Sequence, residues 1–168
     1  MKFDSARSVL VCLSISCLCI LLGCTADGKL YPVQGPLSQQ DPPQVFRANM
    51  TGTSRWDHFN AKIGNGEAAS CTLQRVRSSS TSDPVSIASA WDAVYGNTFY
   101  ETHVLGTHDL YYWCAMTGNQ GTQLRVEVYL PMVTEPNLSG KGVSIQPIRE
   151  SLKGVLQDDK GNIYKFEL

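Results

Sequence analysis

Short apolar runs separated by glycine turns fill the chain from residue 45 onward, and this pattern constrains the fold most. The run 59–63 alternates with a period of two, stops at 64–67 and resumes at residue 68. Asn65-Gly66 in this break accepts the positive φ angles of a tight hairpin turn. The predicted strands are 45–50, 59–63, 68–76, 98–105, 110–116, 122–130, 152–157 and 162–168, with turns at 106–109, 118–121 and 158–161 and a long loop at 131–147.

Short strands joined by tight turns form antiparallel sheets. We therefore predict a mainly β fold, an antiparallel sandwich or small barrel of about seven to eight strands with one packed helix. The helix is expected to begin at Asp83-Pro84, because Asp83 can cap it and proline suits the first helical position. Gly96 would end it. Apolar residues between these limits recur at helical spacing and would lay one face on the sheet.

The first 23 residues have the pattern of a leader. Lys2 and Arg7 precede an uncharged apolar stretch, 9–22, which fits the core of a signal peptide and is too short for the roughly 20 residues that span a bilayer. The stretch ends in Leu21-Leu22-Gly23-Cys24, which resembles the lipobox of bacterial lipoproteins. The resemblance implies cleavage before Cys24 and acylation of its sulfur and amine. An ordinary secretory signal and a retained membrane anchor are the alternatives.

Lipid on Cys24 would fix where the protein works. Three acyl chains bury far more methylene than the single chain that gives only marginal binding, so membrane lipid would hold the protein permanently. Thr25, rather than an acidic residue, follows Cys24, and this resembles cargo forwarded to the outer membrane of Gram-negative bacteria. We expect a periplasm-facing protein on the outer membrane.

Residues 24–44 contain four prolines and two glycines and only scattered apolar side chains. We expect this segment to be a lipidated tether that carries a single domain, residues 45–168. Within it, residues 30–37 are too apolar for a pure spacer. They would lie across the edge of the domain or serve as a strand that binds a partner.

Cys71 and Cys114 are the two cysteines that remain after the leader is removed and Cys24 is acylated. A cysteine pair in an exported chain indicates a disulfide, here between two strands. A redox pair is the alternative, but the C-x-x-C spacing that lowers a thiolate pKa is missing.

Charge and motifs exclude several function classes. Beyond residue 23 the chain has 12 Lys and Arg against 14 Asp and Glu and no basic run, so we expect no nucleic-acid partner. No phosphate-cradling loop, nucleophile elbow or zinc-protease motif occurs in the sequence. His103 and His108 flank a turn and could join a zinc site, but without a metal motif we predict neither a metal nor a cofactor. Whether the chain is an enzyme stays open, and no catalytic residue is predicted.

Aromatic residues are dense around Tyr111-Tyr112-Trp113. Because side chains alternate along a strand, Tyr111 and Trp113 should share one face while Tyr112 shares the other with Cys114. Core packing explains such residues, and a possible interaction surface is the alternative.

The whole chain resembles small lipoproteins of proteobacterial envelopes, a loosely defined group to which no activity is attached. The resemblance rests on the lipobox, residues 30–37, the 64–67 turn before Cys71, and the segments 91–99 and 161–165. The resemblance supports the location and adds little on mechanism. The anchor, the tether and the absence of a catalytic signature predict an accessory, structural or protein-interaction role in the bacterial envelope, with an envelope protein complex as a possible partner. An envelope enzyme acting on glycan or peptide, or a lipoprotein that binds a small ligand or metal, is the alternative.

Overall fold

Two β-sheets and three helical segments make up the described part of a computed structural model, residues 24–52, 57–64, 66–76, 87–105, 110–136, 143–147 and 151–168. The strands are β1 (Cys24–Gln34), β2 (Phe46–Gly52), β3 (His58–Ile63), β4 (Glu67–Thr72), β5 (Gln74–Arg75), β6 (Leu110–Thr117), β7 (Gln123–Leu130), β8 (Met132–Pro136), β9 (Val143–Pro147), β10 (Lys153–Asp158) and β11 (Ile163–Glu167). The helical segments are a 3-10 helix (Pro36–Gln39), α1 (Ala88–Tyr95) and a π-helix (Tyr100–Leu105).

Nine strands form one antiparallel sheet in the order β4-β3-β2-β1-β11-β10-β7-β6-β5. The sheet curls until β4 lies beside β6, so it forms a nearly closed barrel. This arrangement confirms the predicted mainly β class, a sandwich or small barrel with one α-helix packed on it. Strand pairing also confirms hairpins at three predicted turns, 64–67, 118–121 and 158–161.

Strand β1 lies in the middle of this sheet, between β2 and β11. The structure therefore differs from the tether expected at 24–44, because residues 24–34 belong to the folded domain. Leu30 is completely buried, and Gly28 is needed because a Cβ there would lie 2.4 Å from the Phe166 ring. Pro32 lies where the pairing register with β11 shifts, a place where a strand tolerates proline. The glycine and proline here thus serve sheet packing and a bulge.

The sheet has apolar residues on both faces. Its inner face forms the barrel core, which includes Phe59 and Phe166 in edge-to-face contact at 5.2 Å. On the outer face, α1 packs Trp91 over Val155, and this second core also includes Tyr129. Strand β7 is consequently buried on both faces, and its last five residues are all buried.

Two connections differ from prediction. The helix α1 ends at Gly96 as predicted, at φ 100°, but the described helix begins at Ala88, and Asp83 and Pro84 lie outside the described residues. Residues 98–105 were predicted as a strand, and this is wrong, because Tyr100–Leu105 is a π-helix. Rings at every fourth residue from Trp91 to Phe99 stack on one another, with centroids 5.5 Å and 4.9 Å apart, so helical rather than strand spacing governs this segment.

The segment predicted as a long loop at 131–147 contains the hairpin β8–β9. The prolines of this segment had indicated a loop. Pro136 and Pro147 occupy the terminal pairs of the hairpin, opposite Val143 and Met132, where a strand tolerates proline.

Candidate functional site

Cys24, the residue predicted to carry lipid, begins strand β1 and pairs with Gly52 across the sheet. Cleavage before Cys24 would leave every described strand whole. The leader and the first three lipobox residues lie outside the described residues, so they stay predictions. Within the described ranges, no helix combines the length and the apolar content that crossing a bilayer requires.

The predicted disulfide is present and joins Cys71 on β4 to Cys114 on β6, with a Cα–Cα distance of 6.1 Å. Strands β4 and β6 are not neighbours in the hydrogen-bonded strand order, so the barrel stays open between them. We call this gap the seam. Cys114 is buried and Cys71 packs against the barrel core. The bond therefore fastens the seam, which confirms the predicted link between two strands.

A second fastening of the seam comes from Glu67. Its buried carboxylate accepts hydrogen bonds from the hydroxyl of Thr122, from the Thr122 amide at 2.9 Å and from the Gln120 amide at 3.1 Å. The Thr122 hydroxyl bond is the main cause that holds the pKa of Glu67 below its ordinary value, although burial opposes it. Beside it, the Asn119 amide donates to the Ala68 carbonyl at 2.9 Å. The acid thus ties β4 to the β6–β7 turn.

Glu127 holds helix α1 on the barrel. Its fully buried carboxylate accepts hydrogen bonds from Trp91 Nε1 at 2.8 Å, from the Ile87 amide at 3.0 Å and from Arg125 Nε at 2.9 Å. Ile87 is the residue that precedes the first turn of α1, so this carboxylate satisfies a helix-terminal amide that has no partner within the helix. These bonds explain why a charge is tolerated at this depth.

Asp158 organises the β10–β11 turn. Its carboxylate accepts from the amides of Lys160 and Asn162, from the Asn162 side chain and from the Tyr164 hydroxyl at 2.9 Å. Burial and the Asp158 bond raise the pKa of Tyr164. Asn162 in turn accepts from the Leu37 amide at 2.9 Å, which fixes the 3-10 helix. Glu67, Glu127 and Asp158 are therefore all used by the fold.

Histidines do not converge on one point in the described part of the chain. His58 is exposed and its Nδ1 lies 3.3 Å from Thr72 Oγ1, while His103 stacks on Phe99 with ring centroids 4.7 Å apart. His108 lies outside the described residues. Among those residues, no group of three or more His, Cys, Asp or Glu side chains could hold a metal ion.

The three adjacent aromatic residues face as the alternation predicts. Tyr111 is buried in the second core under α1, and Tyr112 packs from the other face against the barrel core. Trp113 is half-buried, with the Arg125 guanidinium 4.8 Å from its ring centroid. Packing therefore accounts for Tyr111, while Tyr112 and Trp113 are each partly exposed.

A concave surface lies on the outer face of β1–β4, and we call it the groove. It is open, with a volume of about 1010 Å³. Lys29 on β1 lies opposite Arg47 on β2, which lies opposite Lys62 on β3, and all three are exposed. We call these three residues the cation row. Asn49 and Asn60 occupy the next positions and are joined by a hydrogen bond of 2.8 Å.

Carboxylates also line the groove, Asp27 on β1 and Glu167 on β11. Glu167 forms an ion pair with Lys165. Sequence reasoning missed the groove. The three cations are 18 and 15 positions apart in the chain, and only the register of β1, β2 and β3 aligns them.

Comparison with family models, with curated proteins and with solved structures gave no match to this chain.

Proposed function

We propose that this protein is a lipoprotein of the bacterial envelope, held on the periplasmic face of the outer membrane by acylated Cys24, with a non-enzymatic role in contact with another envelope component. The observation that carries the proposal is the lipobox-like sequence Leu21-Leu22-Gly23-Cys24 at the end of an apolar leader. The pairing of Cys24 with Gly52 is compatible with it, because cleavage before Cys24 leaves every described strand whole.

The position of Cys24 in β1 defines how the domain would be mounted. A lipid on Cys24 would be attached to the first residue of a strand, without an extended spacer between the bilayer and the barrel. The cation row begins five residues along that strand, at Lys29, which is about 17 Å at the usual rise per residue. The groove would therefore be held close to the membrane surface.

Binding is favoured over catalysis by how the charged groups are used. The buried carboxylates at Glu67, Glu127 and Asp158 each accept several hydrogen bonds that hold the fold together. The lining of the groove contains no histidine or cysteine in the described part of the chain. Of its two acidic side chains, Asp27 is exposed and Glu167 is ion-paired with Lys165.

Metabolic labelling with an alkyne-bearing fatty acid in a Gram-negative host tests the anchor. The Cys24→Ser variant should lose the label and accumulate as a precursor that retains the leader. Cys19→Ser is the matched control, because it removes a nearby leader cysteine and leaves the lipobox intact; it should label and mature as the wild type does. Labelling of Cys24→Ser, or its normal maturation, would contradict the proposal.

The interaction role is tested with a photo-crosslinking amino acid placed in intact cells at the half-buried Trp113, in the predicted interaction surface, and at the exposed Asp159 as control. We expect a discrete adduct with one envelope protein from position 113 and none from position 159. Equal patterns from both positions would contradict a specific contact through this surface.

A further inference from the structure

We propose that the groove is a binding site for a ligand that carries two or more phosphate groups, held by Lys29, Arg47 and Lys62. The proposal goes beyond the envelope role and does not depend on the lipid anchor.

The cation row aligns three like charges across the sheet. Lys29, Arg47 and Lys62 lie directly opposite one another on three neighbouring strands. Strands are about 4.8 Å apart, so the row spans about 10 Å between its outer Cα atoms. Like charges at directly opposed positions destabilise a sheet. An anion bound between them would remove this repulsion.

The three cations form no close ion pair. In the described ranges, no carboxylate lies within 4.0 Å of any of the three, although Glu167 lies opposite Lys29 across β1 and β11 and Asp27 also lines the groove. By contrast, Lys165 and Arg125 on the same sheet bind Glu167 and Glu127. The row therefore remains cationic in a chain whose net charge is −1.

Polar side chains surround the cation row. Asn49, Asn60 and Ser70 line the groove beside the cations, and Asn119 forms part of its far wall. Amide and hydroxyl groups donate to phosphate oxygens, and the planar guanidinium in the centre of the row can bind phosphate through two parallel hydrogen bonds. A volume of about 1010 Å³ holds more than a single inorganic ion.

The spacing favours several phosphates over one carboxylate. A single carboxylate would neutralise one cation and leave the other two opposed. Phosphate groups carried on one ligand about 5 Å apart would each meet a different cation of the row. Two sources share this chemistry, a soluble polyphosphorylated molecule and the headgroup of an anionic phospholipid, and two probes separate them.

The test uses the full-length gene product purified in neutral detergent. Titration calorimetry with inorganic tripolyphosphate measures the soluble source. Titration calorimetry with cardiolipin dissolved in the same detergent, against phosphatidylcholine dissolved in it, measures the headgroup source, because the anchor contributes equally in both. Arg47→Gln is the test variant. Arg75→Gln is its matched control, because Arg75 is an exposed arginine on β5, outside the groove, and its loss changes the net charge equally.

Binding of either probe should weaken roughly tenfold or more in Arg47→Gln and change less than about twofold in Arg75→Gln, since a charged hydrogen-bond partner is lost only in the first. Lys29→Gln with Lys62→Gln should act like Arg47→Gln. Binding of tripolyphosphate alone assigns the site to a soluble ligand, and binding of detergent-dissolved cardiolipin alone assigns it to a headgroup. Failure of the wild type to bind either probe, or equal weakening in Arg75→Gln, would overturn the proposal. Thermal unfolding of each variant verifies that it is folded.

Discussion

Removal of the Cys71–Cys114 disulfide by the double variant Cys71→Ala/Cys114→Ala should lower the stability of the barrel without abolishing its fold. The bond links residues 43 positions apart and is the covalent fastening between β4 and β6. In the chain-entropy model, closing a loop of that length stabilises the folded state by about 4 kcal/mol. That is a large share of the roughly 5–15 kcal/mol by which a domain is stable.

Urea unfolding followed by tryptophan fluorescence measures the effect on three samples: the oxidised wild type, the reduced wild type and the double variant. Reduction breaks the cross-link without deleting side-chain atoms, so it separates the loss of the link from any cavity left by alanine. We expect both treatments to lower the free energy of unfolding by similar amounts, about 4 kcal/mol. The dependence on urea should become steeper, because an unfolded chain without a cross-link exposes more surface.

Noncovalent contacts should keep the seam in place when the bond is lost. Glu67 still accepts from Thr122, and Asn119 still donates to Ala68. The Asn119 amide should nevertheless exchange its hydrogen faster in the double variant than in the wild type, because the seam opens more often. A loss of stability below about 1 kcal/mol in both reduced and variant protein, or unchanged exchange, would refute the role assigned to the seam.

Further tests concern the side chains of Glu67 and Glu127 and the backbone at Thr98. Hydrogen bonds hold the pKa of Glu67 below its ordinary value of 4.5, so Glu67 stabilises the fold above pH 4.5, and this stability is lost as the pH falls through the lowered, folded-state pKa. The free energy of unfolding of Glu67→Gln, measured as a function of pH, should therefore fall less in acid than that of the wild type. The same acid dependence in both proteins would contradict this. Glu127→Ala removes the acceptor of the Trp91 Nε1 hydrogen bond and leaves the half-buried guanidinium of Arg125 without its partner. The free energy of unfolding in urea should fall by about 3 kcal/mol. A change within experimental error would count against the anchoring of α1 by Glu127. Thr98 has a φ of 70°, which is unfavourable for a β-branched residue. Thr98→Gly should therefore raise the free energy of unfolding in urea by about 0.5–1 kcal/mol. A lower free energy of unfolding would show that the backbone at Thr98 is not strained.

Local signals were sufficient for much of the fold. The turns at 64–67, 118–121 and 158–161 are encoded by a few consecutive residues, and strands on either side of each pair as predicted. The disulfide followed from a cysteine count and the expected compartment. These features depend on neighbours in the chain, which a sequence displays directly.

Features set by distant partners were missed. Strand β1 was obscured by Gly28 and Pro32, and its place depends on β11, where residue 167 lies opposite residue 29 in the strand register. Residues 100–105 follow the ring stacking that begins at Trp91, and their apolar content suggested a strand. The cation row exists only through the register of three strands, so no local pattern could indicate it.

The proposed anchor places lipid on Cys24, in strand β1 of the barrel. It is tested by mass spectrometry of the tryptic amino-terminal peptide from the mature protein, because trypsin would release residues 24–29 after Lys29. We expect a peptide that begins at Cys24 and carries a diacylglyceryl group on sulfur with a further acyl group on its amine. A mature chain that begins at another residue, or an unmodified Cys24, would contradict it.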